Sequence, residues 1–160
     1  MKKVLFLLLI FMVFIVMMAS AKADNFNCLV EALYHEARSE SLLGMLSVAN
    51  VILTRKESSN YPNTICKVVH QGKYWKGNPV RDKCHFSYWC DGRPERFTDM
   101  AGLIKSINVA EMSLNGIQTK QTVGATHYHA SYVTPGWASD PNFKSLGQIG
   151  THVFYIDMRE

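Results

Sequence analysis

From Leu42 to Leu53 the chain carries Leu42, Leu43, Met45, Leu46, Val48, Ala49, Val51, Ile52 and Leu53, which cover a helix on nearly every side. A helix apolar all round belongs in the middle of a domain, with other elements packed about it. This segment, expected to run to about Arg55, therefore asks for a shell. Just upstream, Leu29, Ala32, Leu33 and Glu36 recur at helical spacing in a stretch that Asp24 or Asn25 can cap and that ends near Arg38. Ser39 and Ser41 suggest a break, and Ser41 is placed to cap the central helix. Glu36 thus shares the apolar face of its helix. A carboxyl group against a core has its pKa raised and can act as a general acid near neutral pH.

The first residues read as a secretory leader. Lys2 and Lys3 supply a positive start, Val4 to Met18 an unbroken apolar run, and Ala19-Ser20-Ala21 and Ala21-Lys22-Ala23 small residues at cleavage positions. Cleavage is expected after Ala23, with Ala21 as the second choice, leaving residues 24–160 as one domain. The competing reading is an uncleaved anchor, since a spanning helix needs about 20 apolar residues. Three of the 17 basic residues and none of the 13 acidic ones lie in the leader, so the remainder is close to neutral at +1. No basic run remains to argue for a nucleic-acid partner. Four cysteines, Cys28, Cys66, Cys84 and Cys90, lie in the exported part, where disulfides form. Cys84 and Cys90 bracket a short aromatic loop and are the favoured pair, which leaves Cys28 with Cys66. A four-thiol zinc site would want a Cys-x-x-Cys spacing, which is absent.

Further along, Tyr61-Pro62-Asn63-Thr64 reads as a turn opening a short helix through Val69. Residues 71–94, rich in Gly, Pro, Trp, Tyr and charge, read as a long cysteine-stapled loop, and loops of that length in a small domain are usually functional. Helical spacing returns from Pro94 to about Asn115 through Phe97, Ala101, Ile104, Ile107 and Ala110, ending at Gly116. Ala125 to Ala130 and His152 to Ile156 look like strands around a loop. The expected fold class is α+β, mainly α with small β elements.

Several short motifs recur in a telling order: Glu36-Ala37-Arg38-Ser39-Glu40, Gly44, Val48-Ala49-Asn50-Val51-Ile52-Leu53-Thr54-Arg55, Tyr61-Pro62-Asn63-Thr64 and His85-Phe86-Ser87. Gly124-Ala125-Thr126-His127-Tyr128, Trp137-Ala138 and Ile149-Gly150-Thr151-His152-Val153-Phe154-Tyr155 follow. Together they resemble the SleB-type cell-wall hydrolases, which include the spore cortex-lytic enzymes, over roughly Asn27 to Tyr155. The resemblance implies a lysozyme-like domain that cleaves peptidoglycan by lytic transglycosylase action, with Glu36 as the catalytic acid and no cofactor. This chain departs from the family pattern at Ser39 (usually Gly), at Met45 (where the Gln usual after Gly is missing) and at His85 (often Gln).

On this reading Glu36 donates a proton to the glycosidic oxygen leaving muramic acid. A two-carboxylate hydrolase would need a second acid about 5–10 Å away. A transglycosylase can instead use the substrate's own N-acetyl group, and Glu36 then deprotonates the 6-hydroxyl to close a 1,6-anhydro ring. Glu40 is the rival or second acid; its plainer role is a helix-end charge paired with Arg38 or Arg55. Sugars stack on flat apolar faces, so Phe86, Trp89, Tyr128 and Trp137 are candidates for the cleft, with Ser87 and His129 beside them and Trp75 a weaker one. An alternative is a zinc-dependent peptidoglycan amidase or endopeptidase: His127 and His129 fall on one side of a strand, and His152 or His85 would complete the ligands. Against it, His35-Glu36 does not extend to His-Glu-x-x-His. A non-catalytic glycan-binding module would keep the aromatic cleft but be indifferent to Glu36. The expected partner is the peptidoglycan glycan strand, engaged by a monomer in the periplasm or outside the cell, with no stable membrane association once the leader is cut.

Overall fold

A computed structural model describes residues 2–159; Met1 and Glu160, the outer ends of the expected leader and domain, lie outside it. The chain forms helices α1 (Lys2–Ala37), α2 (Leu42–Glu57) and α3 (Ile65–Val69), a hairpin of β1 (Gly72–Trp75) and β2 (Asn78–Cys84), then α4 (Met100–Leu114). Strands β3 (His127–Ala130), β4 (Phe143–Ile149) and β5 (His152–Asp157) form an antiparallel sheet in the order β3-β5-β4. The expected α+β class, mainly helical, is the observed one.

Helix α2 is the centre of the domain. Met45, Val48, Ala49, Val51 and Ile52 are fully buried, packed against Leu29 and Leu33 of α1, Val68 and Val69 of α3, and Phe154 of β5. Its first turn departs from the expectation, since Leu42 and Leu43 are about half exposed. Two polar side chains buried with it are hydrogen-bonded: Asn50 Nδ2 donates to the Thr119 carbonyl and to Thr122 Oγ1, both at 3.0 Å, and Ser47 Oγ donates to the Leu43 carbonyl. The Asn50 bonds fix how the segment at 119–122 sits on the helix.

The starts of three helices are written locally. Ser41 Oγ accepts from the Gly44 amide at 3.2 Å, Thr64 Oγ1 from Lys67 at 3.3 Å, and Asp99 Oδ1 from Gly102 at 3.0 Å. Each satisfies an amide that the helix leaves unpaired. The break between α1 and α2 falls where Ser39 and Ser41 put it.

Four expectations are corrected. Helix α1 does not begin at Asp24 or Asn25: no breaker separates them from the apolar run, so the helix continues through, and Asn25 Oδ1 instead accepts from the Ile65 amide at 2.9 Å, helping to open α3. The long loop at 71–94 contains the β1–β2 hairpin and a 3-10 turn, Ser87–Cys90. Helix α4 starts at Met100, not Pro94, because the Tyr34 hydroxyl accepts from the Thr98 and Asp99 amides, both at 2.8 Å, and holds that stretch off the helical path. The third sheet strand, β4, lies in what reads as loop. Both disulfides form as expected, Cys28–Cys66 tying α1 to α3 and Cys84–Cys90 closing the end of β2 onto the 3-10 turn.

Candidate active site

The end of α1, the segment 85–95 and strand β3 with its following turn surround one cavity of about 600 Å³, with Arg55 and His152 completing its wall. Glu36 reaches it from the last turn of α1. Its carboxyl is half-buried, and burial raises its pKa above the ordinary carboxylate value. Its place at the C-terminal end of a long helix works in the same direction, since the negative end of the helix dipole disfavours a second negative charge. Three donors oppose this: the Tyr128 hydroxyl, 3.0 Å from Glu36 Oε2, and the backbone amides of Ser87 and Tyr88 at the start of the 3-10 turn. The cavity also holds the carboxylates of Asp91 and Glu95, which the sequence reading missed. Neither is among the causes that set the Glu36 pKa. Chemically, then, one carboxylic acid has its pKa raised by burial, with donors placed to receive its conjugate base.

Tyr128 is built for that role. Burial holds its phenol well above the ordinary value, so it remains an O–H donor. Its ring is fixed edge-on to His152 at 5.0 Å and tilted against Phe154 at 5.7 Å. Arg55, buried at the end of α2, donates through Nε to the Thr126 carbonyl at 2.7 Å and holds the start of β3 against the helix. His35 lines the cavity beside Glu36, its ring stacked on Tyr88 at 5.0 Å.

The model of a family described as Cell Wall Hydrolase matches residues 39–155. This chain belongs to that family. The match begins just after Glu36, so the case for Glu36 rests on its geometry. No curated protein matches the chain. Two solved structures share its fold. One is the catalytic domain of the Bacillus cereus SleB protein, 23% identical with a TM-score of 0.57, covering 83% of this chain and 90% of that one. The other is the catalytic domain of the germination-specific lytic transglycosylase SleB from Bacillus anthracis, 23% identical with a TM-score of 0.59, covering 82% and 93%. The expected SleB-type, lysozyme-like architecture is therefore the one observed, and the protein is a cell-wall hydrolase by family.

The remaining candidates separate. Glu40 does not face the cavity. It is 7% exposed, and its carboxylate accepts from the Thr151 amide at 3.3 Å and from the Thr151 hydroxyl, with His152 Nδ1 3.8 Å away. These contacts make it a structural tie between the α1–α2 corner and the β4–β5 turn. Phe86, 1% exposed, belongs to the core and lines the cavity from within it, beside Ser87. Trp89 is stacked on His70 at 3.5 Å, away from the cavity, and Trp137 packs against His127 and Phe143 outside it. Ser87 and His129 do line the cavity, as does Tyr132, 85% exposed at its rim.

The zinc alternative fares poorly on register. His127 and His129 share a face of β3, but Ala130 pairs with His152, which puts His152 on the opposite face with Tyr128. Both ring nitrogens of His129 are engaged, Nδ1 with the Ala130 carbonyl at 2.9 Å and Nε2 with the Tyr155 hydroxyl at 3.1 Å. Among the described residues no three His, Cys, Asp or Glu side chains are grouped to hold a metal ion.

Buried imidazoles carry a consequence for stability. Burial, aided by Arg55, depresses His127 to about 4, and burial also lowers His35 and His152 from their ordinary value. Between pH 6.5 and 4 the unfolded chain binds protons that the folded one refuses, so stability falls as pH drops through that window. Glu36, raised, acts in the opposite sense but is a single group. We expect the urea midpoint to be lower at pH 4.5 than at pH 7, and a His127→Gln variant to lose part of that dependence.

Proposed function

We propose that the protein cleaves the β-1,4 bond between N-acetylmuramic acid and N-acetylglucosamine in peptidoglycan, as a lytic transglycosylase, with Glu36 as acid and then base. The observation that carries this reading is the half-buried Glu36 carboxyl, facing the cavity with a raised pKa and held by Tyr128 and two backbone amides. Protonated Glu36 gives its proton to the glycosidic oxygen as the C1–O bond breaks. The substrate's N-acetyl carbonyl stabilises the cation at C1. The Glu36 carboxylate, now receiving hydrogen bonds from Tyr128, Ser87 and Tyr88, takes the proton of the muramic 6-hydroxyl, whose oxygen closes on C1. One of the two structural neighbours carries lytic transglycosylase in its description, in keeping with this route. The apolar start of α1, where Phe6, Leu7, Ile10, Phe11 and Met12 are exposed, and two disulfides fit a protein exported behind a leader at residues 1–23 to the periplasm or beyond, acting on glycan strands as a monomer.

The test is to digest purified peptidoglycan with the protein, with and without chelator, and weigh the products. Anhydro-muramic ends that persist in chelator are expected. Reducing ends would make the enzyme a hydrolase, and cut peptide bonds abolished by chelator would overturn the reading. A sharper check comes from Tyr128→Phe. Losing a donor that favours the carboxylate raises the Glu36 pKa further. The alkaline limb of the rate profile should therefore move to higher pH, while kcat falls by about tenfold because the base form loses a charge-assisted hydrogen bond. An unmoved limb would detach Tyr128 from the acid.

A further inference from the structure

The β1–β2 hairpin has no part in the cavity, yet its composition is unlike the rest of the domain. Residues 72–84 carry Lys73, Lys76, Arg81 and Lys83 against one acid, Asp82, while residues 24–160 as a whole come to only +1. At its tip Trp75 is 71% exposed, with the Lys76 ammonium 6.0 Å from its ring centroid. A single exposed apolar residue is ordinary on a protein surface. A tryptophan set among cations on a projecting ribbon is a surface suited to something both flat and anionic.

The ribbon is held in a definite place. Tyr74 faces the body of the protein, its hydroxyl donating to the His70 carbonyl at 2.8 Å and accepting from Trp89 Nε1 at 2.8 Å. Cys84–Cys90 fastens its base to the 3-10 turn whose amides hold Glu36. Arg81 lies over Gly92, its guanidinium carbon 3.5 Å from where a Cβ would stand, and so against the Asp91–Glu95 wall of the cavity. The base of the hairpin thus adjoins the segment that carries that wall.

We propose that the hairpin is an auxiliary grip for the peptidoglycan strand, Trp75 stacking on a sugar ring and Lys73, Lys76 and Lys83 meeting carboxylates of the stem peptides. The proposal rests on the peptidoglycan reading above and adds to it a preference for long strands with free acidic peptides. Stacking fits because sugar rings present apolar faces, and a peptide stem on alternate sugars supplies anions at intervals along the polymer. Charge of this kind makes binding sensitive to salt.

The test uses the full chain in mild detergent, in a Glu36→Gln background so that substrate is not consumed, sedimented with insoluble peptidoglycan. Adding Trp75→Ala should weaken binding by about tenfold, the size expected for truncating a stacked aromatic anchor. Lys73→Glu with Lys76→Glu and Lys83→Glu should weaken it further and remove most of its salt dependence. In the active protein Trp75→Ala should raise KM on intact peptidoglycan while leaving kcat, the melting temperature and the rate on a short soluble disaccharide-peptide unchanged. Equal sedimentation of the parent and Trp75→Ala would overturn the proposal. So would binding to anionic vesicles but not to peptidoglycan. Hairpin-dependent sedimentation without any cleavage by the active protein would sink the proposed reaction and leave the grip standing; no sedimentation and no cleavage would end both.

Discussion

Replacing Glu36 with Gln should lower turnover on peptidoglycan by about 10³-fold or more while leaving the protein folded. General acid–base catalysis contributes on the order of 10²–10⁴, and in the proposed reaction one group performs both proton transfers. Gln is close in shape, and its carbonyl oxygen can still accept from Tyr128, so the fold around the site is kept. The melting temperature should not fall, since a half-buried carboxyl is replaced by a neutral group that is easier to bury. Glu36→Asp separates position from chemistry: it keeps the acid but withdraws it by one methylene, and a displacement of that order costs about 10²-fold. Rates on sacculi alongside a thermal melt read both effects. A Gln variant with near-parental turnover would remove Glu36 from the mechanism and reopen the question for Asp91 and Glu95.

The second large effect concerns the disulfides. Removing Cys28–Cys66 by paired Ser substitutions should destabilise the domain by about 4 kcal/mol, whereas removing Cys84–Cys90 should cost only about 2 kcal/mol. The two bridges span 38 and 6 residues, and a cross-link stabilises mainly by restricting the unfolded chain, more so for a longer loop. Small domains are stable by about 5–15 kcal/mol in total. The first loss should lower the melting temperature by more than about 10 °C, and reductant should mimic it in the parent. Comparable losses for the two pairs would mean that native contacts, not loop length, decide their worth. The short bridge should instead be felt in activity, because it fastens the turn that carries the Ser87 and Tyr88 amides.

What could be read beforehand was mostly what neighbours in sequence decide. Ser41 and Thr64 cap the helices they precede because a cap is a contact over three residues, and the apolar run after Ser41 leaves few places but the core. The cysteine spacing selected the right pairs for similar reasons. Strand β4 was missed because Lys144, Ser145, Gly147 and Gln148 break any alternation, and the strand is irregular between Ser145 and Gly147. The start of α4 was misread because Pro94 is a good first helical residue, while the group that forbids a helix there, the Tyr34 hydroxyl, lies some sixty residues back. Site residues divide in the same way. Glu36 could be singled out from its helical face and the family resemblance. The fate of Glu40 could not, because Thr151, 111 residues on, decides it. Asp91 and Glu95 sit in a stretch with no periodicity to show which way they point.

The tie between Glu40 and the β4–β5 turn also bears on how freely the molecule can breathe. Gly150 has φ +59°, and a Cβ there would stand 1.8 Å from Glu40 Oε2, so any side chain at this exposed position must dislodge the carboxylate. One wall of the cavity belongs to the helices and another to the sheet, and this buried contact is where the two are pinned together. A protein jointed there would open and shut around its polymer; one pinned there keeps a fixed gauge. In the proposed reaction the glycan strand would then have to fit a slot of set width.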